Sequence, residues 1–487
     1  MSTSSPTIDD FVHISIDVDV AAEAALAVKI TPRHDTIGLD AQPKSTEFCT
    51  TVNARNLPED DETARAPVDI VVALDVSGSM SGRKLELCKD TIQLLLRELN
   101  AQDRFGLVTF GDEANLAIPA RKLTPENKEA AVLRVKRLHT SGCTNISGGI
   151  GLAAQELAAV ESPHEVRTIF LLTDGLANRG ISDRVGIVNL TKNCLSATAE
   201  RNAIAMHCFG YGHDHDRAML GDISNATEGG SYYFVDKDSD VSSAFGDALG
   251  GVLSVVAQNT FVNIKAATEG VSILKVKHDK TEKQLDGSYK VALGDFYAEE
   301  SRDVLIETTL IGVPEGGNFS DVPHINVTVS YLDTINKKLV TSPGLIGSIN
   351  RPKGETVSKT DKHVALQSIR LRTTKVISDA EALAESEELA KARSTINKLI
   401  NYVQKEAKEL EESTNPLVVQ ILSELNTMLA GLSSRSEYRT NGGRFMQTKA
   451  MAYRRQRCHE SSEVVNSHFR SSTKSKMAFK MKKLSKK

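Results

Sequence analysis

The sequence has no tryptophan, few aromatic residues and no long apolar run. Aromatic residues make up 5% of the 487 positions, and no stretch approaches the ~20 consecutive apolar residues of a membrane-spanning helix. The opening residues, MSTSSPTIDDF, also lack the basic segment followed by an apolar segment that is typical of a secretory signal peptide. We therefore expect a cytoplasmic protein with no transmembrane segment.

The cysteines are few and scattered. None forms a CxxC pair, and none stands at the Cys/His spacing of a zinc module. The sequence therefore indicates neither a structural zinc site nor a disulfide framework. We expect reduced thiols at all six positions, which are Cys49, Cys88, Cys143, Cys194, Cys208 and Cys458.

Neither sign of charge dominates the whole chain. The 59 Lys and Arg residues against 63 Asp and Glu residues give a formal charge of −4, which offers no general attraction to nucleic acid or to an anionic membrane. The last part differs, because positions 444–487 contain 13 Lys and Arg residues against two Glu residues. With few clustered apolar residues, positions 444–487 are predicted to form a basic, disordered tail, which leaves a nuclear location open.

Alternating apolar and polar residues predict β-strands on both sides of the central part of the chain. We expect N-terminal strands and a linker within residues 11–60, after a disordered start at 1–10, and an antiparallel β domain over residues 260–350. Neither β segment makes a closed unit alone. We therefore predict that their strands pair with one another.

The central part of the chain has a different pattern. Residues 66–258 alternate short, fully apolar runs with amphipathic helical stretches, which is typical of a parallel sheet covered on both faces. This pattern predicts an α/β doubly wound domain inserted in the antiparallel β domain. Residues 360–435 then carry apolar stripes at helical spacing, at 389–410 and at 417–432, which predict an α-helical hairpin.

Oxygen-bearing side chains follow the first apolar strand of the α/β domain. Asp75, Ser77 and Ser79 lie on a turn that contains glycine, at the carboxyl edge of the sheet, where open α/β folds bind ligands. Thr144, at the start of a later helical stretch, and Asp174, after the next apolar strand, belong with them. Hydroxyls and carboxylates together suit a hard divalent cation such as Mg²⁺.

The order and spacing of these five residues resemble the metal-ion-dependent adhesion site (MIDAS) of the von Willebrand factor A (VWA) family, which is written D-x-S-x-S, then a Thr, then the Asp of T-D-G. The resemblance implies that Ser77, Ser79 and Thr144 bind the metal directly or nearly so. It implies that Asp75 and Asp174 hold the metal largely through water. It also implies Mg²⁺ or Mn²⁺ as the cation, a Rossmann-like fold, and an open coordination position for an Asp or Glu of a protein partner. We accordingly expect a binding module and no enzyme.

A wider resemblance covers most of the chain. A VWA domain preceded by strands and followed by a β domain is similar to inter-alpha-trypsin inhibitor heavy chains and to intracellular VWA proteins with a VWA-interacting (Vwaint) region. The sequences VALGD at 291–295 and RFM at 444–446 resemble parts of that second group. Some plant relatives are ubiquitin ligases through an added RING domain. This chain has no Cys/His zinc pattern, so we do not expect that activity.

Other interpretations of the Asp75 turn stay open. A Mg²⁺-dependent phosphohydrolase would need a second Asp two positions after the first, where this chain has Ser77. A serine hydrolase would need G-x-S-x-G, but the third residue from Gly78 is Met80. The serines could instead cap the following helix while Asp75 satisfies a turn amide. A scaffold or adaptor in ubiquitin-linked or membrane-linked processes is a further alternative.

Two other features carry chemistry-bearing side chains. Residues 213–216, HDHD, could form a ligand cluster, but an Asp before an amphipathic stretch is more often a helix N-cap, which is our prediction. Cys143 lies inside the Thr144 loop, where a helix start could favour its thiolate. We expect Cys143 to be buried and inert instead.

Overall fold

The structure is a computed structural model that describes residues 24–58, 65–196, 204–212, 215–227, 229–235, 238–312, 319–457 and 471–484. The predicted disordered start at 1–10, the first alternating run at 12–16, and Cys458 lie outside these residues. Disulfide bonds are absent among the cysteines of the described ranges.

Two strands, β1 (Leu26–Pro32) and β2 (Ser45–Ala54), precede an α/β unit in the chain. The unit forms one sheet with the order β5-β4-β3-β6-β7-β8. Its elements are β3 (Val68–Asp75), α1 (Arg83–Glu98), β4 (Arg104–Phe110), β5 (Ala114–Lys122), α2 (Pro125–Lys136), α3 (Ile146–Ala158), β6 (Val166–Thr173), α4 (Arg184–Ser196), β7 (Ile204–Tyr211), α5 (Arg217–Asn225), β8 (Ser231–Val235) and α6 (Asp238–Val252). Every residue of β3, β6 and β7 is buried, as expected for a sheet with helices on both faces.

The strand order reverses beside β3. β4 lies on one side of β3 and β6 on the other, and both pair with it in parallel. The loops that follow β3 and β6 therefore leave the same edge of the sheet in diverging directions and open a crevice between them. Open α/β sheets bind their ligands at such a reversal.

The α/β unit is inserted in a β unit, as the sequence predicts. The strands after it are β9 (Val255–Ala266), β10 (Ile273–Lys277), β11 (Thr281–Lys283), β12 (Tyr289–Tyr297), β13 (Ser301–Thr309), β14 (Val322–Asp333), β15 (Lys338–Thr341) and β16 (Leu345–Ile349). Together with β1 and β2 they form two antiparallel sheets. The first has the order β1-β2-β13-β10. The second has the order β11-β12-β9-β14-β15, and β16 pairs with β14 in it as well. The ladder from Ser45 opposite Thr309 to Asn53 opposite Ser301 confirms the predicted pairing across the insertion.

Helices form the last part of the described chain. They are α7 (Lys362–Glu385), α8 (Leu389–Glu409), α9 (Pro416–Gly431), α10 (Arg435–Glu437), α11 (Gly443–Arg455) and α12 (Ser472–Leu484). The predicted hairpin is α8 packed on α9, with Ile396 and Ile421 fully buried in their common core. The predicted hairpin is only part of a larger helical bundle, because α7 and α11 pack on it as well. α7 buries Gln367, Arg370 and Thr373 beside its apolar residues, so it shows no clear apolar stripe in the sequence.

The predicted disordered tail is wrong for the residues that the structure describes. Its first part is α11, and α12 packs closely along α6. A Cβ at Gly246 would lie 2.6 Å from Ala478 Cα, and one at Gly250 would lie 3.1 Å from Lys474 Cα. The two glycines therefore allow the helices to approach, and Lys474 Nζ lies 2.8 Å from Asp247 Oδ2 in a buried ion pair. Met481 is also buried in the adjoining core, with Met477 packed against it, so two glycines, an ion pair and two methionines hold α12 in place.

No single helix of the described ranges has both the length and the apolar composition to cross a membrane. The pair formed by α9 and the segment Arg435–Arg455 meets those two criteria together, with a bend of 119° at the break between them. In the structure the apolar residues Ile421 and Leu425 of α9 are fully buried among the other helices.

The turn between β12 and β13 contacts both ends of the insertion. The Glu299 amide donates to Arg55 O (3.3 Å), in the segment that leads into the α/β unit. The Ala298 amide donates to Ser254 O (2.7 Å), in the segment that leads out of it. Glu299 has a φ of 69° and accepts a hydrogen bond from the Thr473 hydroxyl at 3.1 Å, so the turn also contacts α12.

A fully buried ion cluster lies next to this turn. The Glu300 carboxylate accepts hydrogen bonds from Arg457 Nε at 2.7 Å and from Arg302 Nη2 at 2.8 Å. Both guanidinium groups also donate to Asp295 O. Burial alone would raise the pKa of Glu300, but the charges of Arg457 and Arg302 lower it to about 2. The cluster thereby joins the end of α11 to the β unit.

Replacing Lys474 with alanine should weaken the packing of α12 on α6 and lower the stability of the protein. Asp247 would stay buried without its ammonium partner, and breaking a buried ion pair costs about 3–5 kcal/mol. Lys480→Ala is the matched control, since Lys480 lies on the same helix and pairs with Glu98 while its side chain is 59% exposed. That control should cost at most about 1 kcal/mol. Urea unfolding of both variants measures the difference, and equal small losses would contradict a docked α12.

The Glu300 cluster predicts a loss of stability in acid. A carboxyl whose pKa is lower in the folded chain stabilises it fully above the unfolded value, about 4.5, and this contribution disappears as pH falls through about 2. Between these values wild type should lose stability more steeply than Glu300→Gln. Glu282→Gln, which changes an exposed carboxylate on β11, should follow wild type. Unfolding free energies at several pH values test this, and parallel curves for all three proteins would refute it.

Candidate metal centre

Asp75 forms the buried base of the candidate site. It ends β3, where its carboxylate accepts hydrogen bonds from the Ser77 amide (2.8 Å) and from the Thr173 hydroxyl (2.5 Å) at the end of β6. The residue has 0% exposure. Burial raises the pKa of Asp75 despite these two hydrogen bonds, and the charge of Asp174 raises it further. A cation at this edge would stabilise the charged carboxylate.

Both serines of the turn face the crevice. Ser77 Oγ lies 3.1 Å from Ser79 Oγ, and the Ser79 hydroxyl donates to Asp174 Oδ1 at 2.7 Å. Ser77 is buried and Ser79 is exposed. The chain of hydroxyls thus runs from the interior of the protein to solvent and connects the β3 loop with the β6 loop.

Thr144 reaches the same place from the loop before α3. A Cβ at Gly175 would lie 3.2 Å from Thr144 Oγ1 and 3.7 Å from Ser79 Oγ, so both hydroxyls converge beside that glycine. Asn178 holds the backbone of Thr144 from both sides. The Thr144 amide donates to Asn178 Oδ1 (2.8 Å), and the Asn178 amide donates to Thr144 O (3.1 Å).

Backbone hydrogen bonds fix the loops against one another. The Gly78 amide donates to Gly142 O at 3.1 Å, and the Ser141 amide donates to Val76 O at 2.7 Å. The turn at Gly142 has a φ of +78°, which glycine adopts without strain. The oxygen donors are therefore positioned by the fold before any ligand binds.

Lys84 supplies a positive charge to the site. It lies in the first turn of α1, and its Nζ forms an ion pair with Asp174 Oδ2. The Lys84 side chain is 41% exposed, whereas that of Asp174 is fully buried. A positive charge therefore already lies next to Asp174, on a side chain that reaches towards solvent.

These side chains fit a divalent cation. All donors are oxygens, and two of the groups are carboxylates. The ammonium of Lys84 lies next to the buried Asp174 carboxylate, whose negative charge needs a positive partner. Hard cations such as Mg²⁺ prefer carboxylate and hydroxyl oxygens. When bound, such an ion would keep net positive charge and attract a further carboxylate.

The five predicted residues lie together at one edge of the sheet, and their role as metal ligands stays a prediction. The serine caps of the alternative interpretation are wrong, because α1 begins after Gly82 and neither serine makes a side-chain cap to it, whereas Asp75 does accept a turn amide, that of Ser77. Sequence reasoning missed Lys84, Thr173 and Asn178. A lysine in the first turn of a helix opposes the helix dipole, which is a signal that a carboxylate lies nearby.

The remaining predicted side chains lie outside this set. Asp216 is the N-cap of α5 and accepts the Met219 amide at 2.9 Å, which confirms the capping prediction. His215 is buried, and its Nε2 lies 2.6 Å from the Tyr232 hydroxyl. His213 and Asp214 are outside the described residues. Cys143 is partly exposed and not buried, because the loop before α3 lies at the surface.

Curated relatives match about half of the chain. The E3 ubiquitin-protein ligase WAV3 of Arabidopsis thaliana is 29% identical over 255 residues, which are 51% of this chain and 31% of that protein. Inter-alpha-trypsin inhibitor heavy chain H1 of Mesocricetus auratus is 26% identical over 235 residues, which are 46% of this chain and 24% of that protein. The matched segment thus spans about a third or less of these two relatives.

Two solved structures resemble most of the chain. A von Willebrand factor type A protein from Catenulispora acidiphila has a TM-score of 0.61 at 15% identity and covers 83% of this chain and 89% of its own. The ArnB paralog VWA2 from Sulfolobus acidocaldarius has a TM-score of 0.51 at 13% identity and covers 88% and 98%. The sequence profile of the von Willebrand factor type A domain matches residues 69–247. The inserted α/β unit of this chain is a von Willebrand factor type A domain.

Proposed function

We propose that this protein binds other proteins through a divalent cation, Mg²⁺ or Mn²⁺, and that it has no catalytic activity of its own. The partner would complete the coordination with an exposed Asp or Glu carboxylate. The residues proposed to hold the cation are Asp75, Ser77, Ser79, Thr144 and Asp174.

One observation carries this proposal. Buried and exposed oxygens from three separate loops converge on one side of Asp174, as the contact of Ser79 Oγ with Asp174 Oδ1 at 2.7 Å shows most directly. A helix cap or a turn would need only one of these loops. VWA domains often mediate metal-dependent interactions between proteins, which supports the proposal.

The donors divide into two groups by their surroundings. Both Asp75 oxygens accept hydrogen bonds inside the protein, from Ser77 and Thr173, so Asp75 would act on the cation from the buried side of the site. Asp174 is engaged by Ser79 and by the partly exposed Lys84, so its partners can exchange. The open coordination position should therefore lie on the solvent side, where an acidic side chain of a partner can enter.

Hydrolytic alternatives lack the carboxylate that they would need at the position of Ser77. A phosphohydrolase would need a carboxylate at the position of Ser77, and this hydroxyl faces Ser79 instead. We do not extend the ligase activity of the Arabidopsis relative to this chain, because the match covers only 31% of that protein.

Asp75→Ala should abolish divalent-cation binding and partner binding together. The substitution removes a charge that offsets the cation, while the α/β core, built from buried apolar strands, should persist. Asp90→Ala is the matched control, since Asp90 is an exposed carboxylate on α1. Calorimetry with Mg²⁺ and pull-downs in Mg²⁺ or chelator measure both effects. Unchanged partner capture in chelator or in Asp75→Ala would refute the proposal.

Lys84→Met should strengthen Mg²⁺ binding. In the metal-free protein the ammonium competes with the ion for Asp174, so its removal should raise affinity by roughly threefold to tenfold, which corresponds to about 1 kcal/mol. Arg97→Met, at the exposed far end of the same helix, controls for the change in net charge. Calorimetric titration of both variants decides the point. Weaker binding by Lys84→Met would show that the lysine orients Asp174 and does not compete.

A further inference from the structure

A second cluster of ligand-type side chains lies in the β unit, away from the VWA domain. Cys49 and Thr51 are two residues apart on β2 and therefore share one face of the sheet. On β13, Asp303 stands opposite Thr51. The second residue of α7, His363, covers this face. Three elements that are remote in sequence thus bring a thiol, a carboxylate and an imidazole together.

The distances within the cluster are close to those of a metal site. Asp303 Oδ1 lies 3.3 Å from Cys49 Sγ and 2.8 Å from His363 Nε2, and the three ligand atoms all lie within 4.8 Å of one another. Ligands of a tetrahedral zinc ion, at bond lengths of about 2.0–2.3 Å, stand roughly 3.3–3.7 Å apart. Adjustment of the three side chains would give each atom a bond to one ion.

We propose that Cys49, Asp303 and His363 form a zinc-binding site that is separate from the adhesion-type metal centre. Sulfur, nitrogen and oxygen ligands together suit a borderline-soft ion such as Zn²⁺ and do not suit Mg²⁺. Three protein ligands leave a fourth position for water. The ion would fasten the first turn of α7 to the sheet and thereby connect the helical bundle with the β unit.

The surrounding groups act on the Cys49 thiol in opposite directions. Burial and the neighbouring Asp303 raise the pKa of the Cys49 thiol well above its ordinary value, so a metal ion would have to replace its proton. The buried Arg370 favours the thiolate, while its own hydrogen bonds go to Gln367 Oε1 at 2.6 Å and to Tyr453 O at 2.7 Å. One thiolate and one carboxylate would balance a divalent cation.

Access and geometry separate this cluster from an ordinary His–Asp pair. The His363 side chain is 45% exposed, so an ion can enter from that side, whereas Cys49 and Asp303 are buried. The chain contains a comparison. In the VWA domain His164 Nδ1 lies 2.7 Å from Asp69 Oδ1, and Arg104 occupies the place next to them at 3.0 Å. The third group beside the His164–Asp69 pair is therefore a guanidinium, which cannot bind a metal ion, whereas the third group of the proposed site is a thiol.

The test uses the whole 487-residue chain with Asp75→Ala, so that the adhesion-type centre does not contribute. Co²⁺, a spectroscopic substitute for Zn²⁺, should bind with one equivalent and give a thiolate-to-cobalt absorption band in the near ultraviolet. Added Zn²⁺ should remove the band. His363→Gln should weaken Co²⁺ binding at least tenfold, and Cys49→Ala should abolish the band. A normal circular dichroism spectrum shows that each variant is folded.

Matched controls keep the test specific. Cys88→Ala removes another fully buried cysteine, and His164→Gln removes the histidine of the comparison pair. Both should bind Co²⁺ as the parent protein does. Co²⁺ binding without the thiolate band, or with equal affinity in His363→Gln, would overturn the zinc proposal. Because the parent lacks Asp75, these outcomes leave the proposed protein-binding function untouched.

Discussion

The turn at residues 298–300 is the junction on which the arrangement of this protein depends. Its amides bind the chain where it enters the VWA domain, at Arg55, and where it leaves, at Ser254. The carboxylate of Glu300 is fully buried between Arg302 and Arg457. A buried carboxylate is tolerated only when it is paired, so this turn, the start of β13 and the end of α11 must assemble together. One short turn therefore fixes the inserted domain, the β unit and the helical bundle relative to one another.

The contacts of this turn also explain how the VWA domain can be inserted in the β unit without disrupting it. Both chain crossings lie at the same turn, so the insertion enters and leaves at neighbouring points, as the proximity of domain termini requires. At the opposite end of β3, the reversal of strand order between β4 and β6 opens the crevice that receives Asp75 and Asp174. The metal centre is thus remote from the junction but connected to it by the rigid, fully buried strands.

The sequence predicted those parts whose information is local. Fully apolar strands, alternating strands and the five oxygen donors each appear as short patterns, and the insertion follows from two incomplete β segments. The sequence could not predict α12, because its contact with α6 depends on Gly246, Gly250, the Lys474–Asp247 pair and the buried Met481, and the two helices are distant in sequence. The same reason hides the cluster of Cys49, Asp303 and His363. Spacing rules for zinc sites detect ligands from one segment, and these come from two strands and a helix.

The candidate metal centre combines buried groups that are held in place with exposed groups that can change partners, and this division would set how a partner acts on it. Asp75 and Ser77 are buried and have their hydrogen bonds inside the protein, so they cannot move without breaking the end of β3. Ser79 and Lys84 lie towards solvent, and both use Asp174 as their partner. An arriving cation must therefore compete with Lys84 for Asp174, whereas an arriving acidic side chain can pair with Lys84 or with the cation. Since the competing lysine is held by one carboxylate, a partner that brings its own carboxylate offers Lys84 an alternative ion pair as the metal takes its place. Partner and cation would then favour the same arrangement, so that each raises the affinity of the other by an equal factor.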